Sequence, residues 1–236
     1  MGIAEQDMIS TAAGLASSGK IVFVNSFAVF LTGRAFDQIR QQVSLPKANV
    51  KLCGSNAGIT LGADGATHQS INHLTLMRCL PNMSVLVPAD RPFEMGKAVV
   101  LRQGSRVALV ATGPVTAHAL EAADRLAAEG IRPAVYNFHT IKPFDIPCAR
   151  EIACRYETVF TIEEHNVIGG LGSALAETFC ELYEPGTKPL LHRIGIRDAY
   201  GESGSAEELV RKHRLDAEGI ARTVLEILEA NRQYWR

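Results

Sequence analysis

Near the start of the chain an acid opens a helical stretch. In "MGIAEQDM" (1–8), Glu5 stands shortly after Gly2, at the start of "AEQDMISTAAGLASSG" (4–19). That run reads as a helix of small residues closed by Gly19. The helix dipole, which favours negative charge in the first turn, would by itself account for such an acid. The neighbours allow a second reading. Ile3, Ala4, Met8, Ile9, Ala12, Ala13 and Gly14 form a small apolar surface suited to close packing, and a carboxylate buried there needs a partner.

Phe27 and Phe30 stand three apart where a strand passes into a helix. They are either core aromatics or a stacking surface for a planar heterocycle. The stretch "GADGATHQ" (62–69) is the most informative. Gly58, Gly62 and Gly65 fall in a loop after a buried strand, where they permit unusual backbone shapes and close approach to a ligand. Asp64 and His68 are four apart, with His68 predicted at the start of the next helix. Such a pair fits a solvated, capped loop; it also fits proton transfer to hydroxyl or carbonyl oxygens.

Other chemistries find less support. Asp64 and His68 have no third ligand at a fitting spacing, so no metal site is expected. "GGLGS" (169–173) precedes a helix but matches nucleotide fingerprints poorly. Ser17, Ser18 and Cys53 have no activating histidine nearby in sequence.

These side chains require a scaffold, and the chain reads as a sustained alternation of strand and helix. Strands are predicted at 21–24, 49–54, 83–89, 106–112, 132–138, 157–164 and 189–195. Helices are predicted at 4–19, 34–44, 68–80, 116–130, 147–156, 172–183 and 216–232. That alternation predicts an α/β fold with parallel sheets, in two domains meeting near Pro92–Gly104. Ligands in such sheets bind outside the carboxyl ends of the strands, which singles out the loops 25–34, 55–69, 139–143 and 163–173. With 47% hydrophobic residues in 236, a large core is available. A net charge of −1 leaves no basic footprint for nucleic acid or a membrane surface. Five scattered cysteines without paired spacing fit a reducing cytoplasm.

Six ordered motifs, "GIAEQ", "FAVFLTGRAFDQIR", "AGITLGADGATHQ", "LMRCLPNMSVLVPAD", "HTIKPFD" and "EEHNVIGGLGS", closely resemble the C-terminal half of transketolases. The chain looks most like the separate C-terminal subunit of split bacterial transketolases, and deoxyxylulose-phosphate synthases share several of the motifs. The resemblance covers nearly the whole chain. It implies a pyrimidine-binding domain (1–92) followed by a transketolase C-terminal domain (93–236). Glu5 matches the acid that hydrogen-bonds a pyrimidine nitrogen of thiamine diphosphate. Phe27 and Phe30 match the rings packed on that pyrimidine. Asp64 and His68 match residues that line the substrate channel and bind ketose hydroxyls, with His68 also catalytic. His139 and the "EEH" of 163–165 match positions that imply subunit packing rather than chemistry.

The chain also departs from the family pattern. Asn56 stands where transketolases usually carry a histidine that contacts sugar hydroxyls; Asn donates and accepts but cannot become cationic. Segments that family members carry before "GIAEQ", and between "VPAD" and "GKAVVL", have no counterpart, so Met1 is expected to be an interior residue of a longer protein. The family's "GDG" for diphosphate and magnesium is represented only by "ADG" (63–65). The resemblance therefore implies an N-terminal partner subunit holding the diphosphate and magnesium, in an α2β2 assembly acting on sugar phosphates. The alternatives are a decarboxylating carboligase of the deoxyxylulose-phosphate synthase type and a non-catalytic assembly partner.

Overall fold

Apolar side chains at 9, 12 and 13 recur at helical spacing from Glu5, so the acid belongs to the inward stripe of its helix. In the computed structural model, which describes residues 1–89, 94–181 and 189–234, that helix is α1 (Glu5–Ser17), with Glu5, Ile9, Ala12 and Ala13 buried. It ends where predicted: Gly19 takes φ +84, a backbone shape that favours glycine. The chain forms two units, one of Met1–Val85 with Tyr200–Leu209, the other of Leu86–Ala199 with Val210–Arg236.

In the first unit, α1 is followed by β1 (Val22–Phe27), a π-helical turn (Phe30–Arg34), α2 (Phe36–Gln38) and a second π-helical turn (Ile39–Ser44). Then come β2 (Val50–Ser55), a 3-10 turn (Gly62–Asp64), α3 (His73–Arg78) and β3 (Val85–Leu86), which lies at the boundary of the two units. Strands β1 and β2 pair in parallel, with Phe27 opposite Ser55 at their carboxyl ends. Ile9, Leu31, Ile39 and Ile59 are fully buried and form the centre of this unit.

The second unit contains β4 (Val99–Arg102), β5 (Arg106–Ala111), α4 (Val115–Ala128), β6 (Ala134–Asn137), β7 (Thr140–Lys142) and α5 (Ile146–Arg155). It continues with β8 (Tyr156–Asn166), α6 (Leu171–Glu181), β9 (Leu190–Ile196), α7 (Ala206–Lys212, whose residues up to Leu209 are counted with the first unit) and α8 (Ala217–Tyr234). Five strands form one sheet in the order β4-β6-β5-β8-β9. Leu109, Val110, Phe160 and Ile162 of its central strands are fully buried, as strands covered on both faces require.

Four expectations need correction. The sheet is not wholly parallel, because β4 runs antiparallel to β6. The predicted strand 83–89 shrinks to Val85–Leu86. The predicted helix 34–44 is largely wound as π-helix, with Leu45 N–H donating to Arg40 O and Ala48 N–H to Val43 O, each five residues back. The predicted helix 68–80 begins only at His73, so His68 is not at a helix start. Residues 182–183 of the predicted helix 172–183, and Pro92 at the predicted domain junction, lie outside the described residues. Among the described residues no helix is long and apolar enough to cross a membrane.

Candidate active site

The carboxyl end of β1 delivers Ser26 and Phe27 beside the N-terminus of α1. Ser26 Oγ donates to Glu5 Oε1 at 3.4 Å. Arg34, at the end of the first π-helical turn, donates from Nη1 to Glu5 Oε2 at 2.8 Å. Glu5 is only 4% exposed, and a buried carboxylate is tolerable only with such partners. Burial pushes its pKa up, but hydrogen bonds from its own backbone N–H and from Arg34, together with the guanidinium charge and Ser26, outweigh that and hold it below the usual carboxylate value.

The two predicted aromatics do meet. The Phe27 and Phe30 rings are nearly parallel, at 16°, with centroids 6.2 Å apart. His68 stands edge-on to both, 6.2 Å from Phe27 and 5.1 Å from Phe30. The Arg34 guanidinium lies 4.8 Å from the Phe30 ring centre, an attractive placement of cation on π-face. Both rings are half-buried, so they present apolar area that a planar ligand could cover. Glu5, Arg34, Phe30, Phe27 and His68 thus form one continuous chain of contacts.

Asn56 and Asp64 are exposed and lie outside that chain of contacts. Asn56 follows directly on the end of β2 with φ +54, in the left-handed region that Asn tolerates better than most residues. Asp64 closes the 3-10 turn, and the loop doubles back so that His68 N–H and Gln69 N–H both reach Gly65 O at 3.0 Å. Gly65, at φ 70 and ψ −164, occupies a region essentially reserved for glycine.

Residue type and spacing alone give no role to Ser26, Gln69, the segment Tyr200–Ser205 or Arg34, although Arg34 lies in the motif "FAVFLTGRAFDQIR". Gln69 is buried and donates from Nε2 to Glu202 O at 2.9 Å. A side chain at Gly62 would meet Gly204 O at 3.0 Å, and one at Gly65 would meet Ser203 Oγ at 2.5 Å. The glycines of "LGADG" therefore admit a distant part of the chain against the loop. The cluster "YGESGS" (200–205) was the available signal for that segment, and the four-residue step from Phe30 was the signal for Arg34.

In the second unit, the amides of "GGLGS" are taken by a carboxylate of the chain itself and not left for a phosphate. Leu171 N–H and Gly172 N–H at the N-terminus of α6 donate to the two carboxylate oxygens of Glu163, at 2.7 and 2.8 Å. Glu163 and His165 are buried, as is His139, whose Nδ1 is 2.9 Å from Thr140 Oγ1.

Two family models match the chain: "Transketolase, pyrimidine binding domain" over residues 1–123 and "Transketolase, C-terminal domain" over residues 96–220. The chain belongs to the transketolase family. It is 39% identical to the 6-deoxy-6-sulfo-D-fructose transketolase subunit SqwH of Clostridium sp. (strain MSTE9), across 97% of this chain and 80% of that protein. It is 34% identical to the 1-deoxy-D-xylulose-5-phosphate synthase of Pelotomaculum thermopropionicum (strain DSM 13744 / JCM 10971 / SI), across 96% of this chain but 40% of the synthase. A solved structure described as a split gene transketolase, inactive beta4 tetramer, superposes with a TM-score of 0.85 at 40% identity, covering 96% of this chain and 82% of that one. The chain is therefore a C-terminal transketolase subunit. The SqwH alignment runs to 264 positions against 236 residues here, so that relative carries segments inside the matched region that this chain does not.

Proposed function

We propose that this chain is the catalytic C-terminal subunit of a two-chain transketolase that moves a two-carbon ketol unit between a ketose phosphate and an aldose. One observation carries the reading: a buried carboxylate, Glu5, linked through Arg34 to the stacked pair Phe27–Phe30, with His68 edge-on to both rings. An acid beside two half-buried rings fits the pyrimidine end of thiamine diphosphate, the cofactor that the family implies. When bound, that cofactor supplies the nucleophilic carbon and the electron sink. Glu5 would hold a ring nitrogen of that cofactor, and Phe27 and Phe30 would cover the ring. His68 moves a proton to or from the sugar oxygens. Asp64 and Asn56 bind hydroxyls from the exposed rim.

In this reading residues 1–92 make the pyrimidine-binding domain and 93–236 the C-terminal domain. An N-terminal partner subunit holds the diphosphate and magnesium, in an α2β2 complex. The description of the structural relative as an inactive β4 tetramer supports dependence on a second polypeptide. All five cysteines are free thiols, which supports a reducing, cytoplasmic setting. The synthase-type carboligase is the second reading, favoured by the 34% identity to a synthase. It is placed behind because the chain spans 80% of the split subunit but 40% of the synthase.

The test is to co-express the chain with the product of its neighbouring gene and assay ketol transfer from ketose phosphates with thiamine diphosphate and magnesium. Turnover by the complex and not by either chain alone supports the proposal. A stable, cofactor-loaded complex that transfers no ketol unit overturns it, and carbon dioxide release from pyruvate by that complex selects the synthase reading.

A further inference from the structure

Arg34 is 47% exposed at its side chain, yet its guanidinium is committed to two inward contacts. One is the hydrogen bond of 2.8 Å to Glu5 Oε2, and the other is the placement 4.8 Å from the centre of the Phe30 ring. The π-helical turn Phe30–Arg34 carries both Phe30 and Arg34 on one winding, and π turns are rare and frequently found at functional sites. Glu5 thus has unequal oxygens. Oε2 is taken by a charged side-chain donor at 2.8 Å, while the side-chain donor to Oε1, Ser26, stands further off at 3.4 Å.

We propose that Arg34 is a positioning residue that clamps Glu5 by one oxygen and fixes the Phe30 ring at the same time, so that the acid offers Oε1 to the cofactor's ring nitrogen while the stacking surface is already set. This rests on the reading of Glu5 as the acid that meets thiamine diphosphate. A planar guanidinium can pair with a carboxylate along its edge and lie on an aromatic face, which an ammonium cannot do equally well. Truncation of Arg34 is expected to loosen both contacts, and lysine to restore the charge pairing alone.

Other charged groups stand on elements packed against α1: Asp37 on α2, Arg40 on the second π-helical turn and Lys51 on β2, with Asp7 on α1 itself. None of these hydrogen-bonds the Glu5 carboxylate; Arg34 and Ser26 are its side-chain donors.

The experiment uses Arg34→Gln and Arg34→Lys in two settings. In the full chain carrying carbon-13 at glutamate carboxyls, with the Glu5 signal assigned by its loss in Glu5→Gln, Arg34→Gln raises the Glu5 titration midpoint and Arg34→Lys keeps it near wild type. In the complex with the N-terminal subunit, Arg34→Gln weakens thiamine diphosphate binding about tenfold, and Arg34→Lys recovers part of that loss. An unmoved Glu5 midpoint in a folded Arg34→Gln chain overturns the clamp, as does unchanged cofactor affinity. Undiminished turnover by Glu5→Gln is a separate result: it overturns the reading of Glu5, and the proposal falls with it.

Discussion

The rings of Phe30 and His68 meet edge to face, their centroids 5.1 Å apart and their planes at 85°. Phe30 also stacks on Phe27 and lies against the Arg34 guanidinium. One ring therefore touches the stacking partner, the acid's counter-ion and the proposed proton carrier. Its geometry is held from three directions before any ligand arrives.

Phe30→Leu keeps apolar bulk and removes these ring contacts. An aromatic pair contributes about 0.5–1.5 kcal/mol beyond its buried area. Thiamine diphosphate binding by the complex should weaken by roughly twofold to tenfold. Thermal stability should fall modestly as well, since the contacts of Phe30 with Phe27, His68 and Arg34 are present without ligand. Calorimetric titration beside a melting curve separates the two effects.

Gly65→Ala tests the seating of the Tyr200–Ser205 segment. The backbone at φ 70 and ψ −164 is strained for any other residue, at a cost of about 1–3 kcal/mol. The added methyl also meets Ser203 Oγ at 2.5 Å. Urea denaturation should show a loss of at least about 1 kcal/mol, and protease cleavage within 200–205 should accelerate. Equal stability would mean that the loop adopts another shape.

His192 gives a pH dependence remote from the proposed chemistry. Its ring stacks on Phe160, with centroids 5.3 Å apart and planes at 25°, and burial lowers its pKa below the ordinary histidine value. The unfolded chain therefore takes up this proton first as pH falls. The neutral ring contributes its stability fully above about pH 6.5, and that contribution is lost as pH falls through the lower folded value. His139, whose pKa burial lowers too, acts in the same direction. His192→Phe preserves stacking and removes the proton site. Its melting temperature should fall less than the wild type's when pH is lowered from about 7 to about 5, an interval that contains the ordinary histidine value.

Much of this was legible in the chain because it was local. Helix α1 was bounded by its small-residue run and Gly19, and the central strands β5 and β8 by buried β-branched runs. Glu5, Phe27, Phe30 and His68 were singled out by residue type at strand and helix junctions, and the structure brings them together. What was not legible depends on partners far off in sequence or on subtle changes of period. The bond from Gln69 to Glu202 joins residues separated by 133 positions. The π-helical turns differ from an α-helix by one residue per hydrogen-bonded ring, which apolar spacing over five or six residues cannot resolve. The four residues of β4 carry no mark of direction, so its antiparallel pairing emerges only from the assembled sheet.

The account depends most on Glu5, and Glu5→Gln in the reconstituted complex tests it most directly. Gln keeps the shape and an acceptor oxygen but cannot carry the negative charge. Arg34, left without its counter-ion, is exposed enough to be solvated. The predicted result is a complex of unchanged mass and secondary structure whose ketol transfer falls by about 10²-fold or more. A complex with the same assembly and turnover within a few fold of wild type would contradict the account.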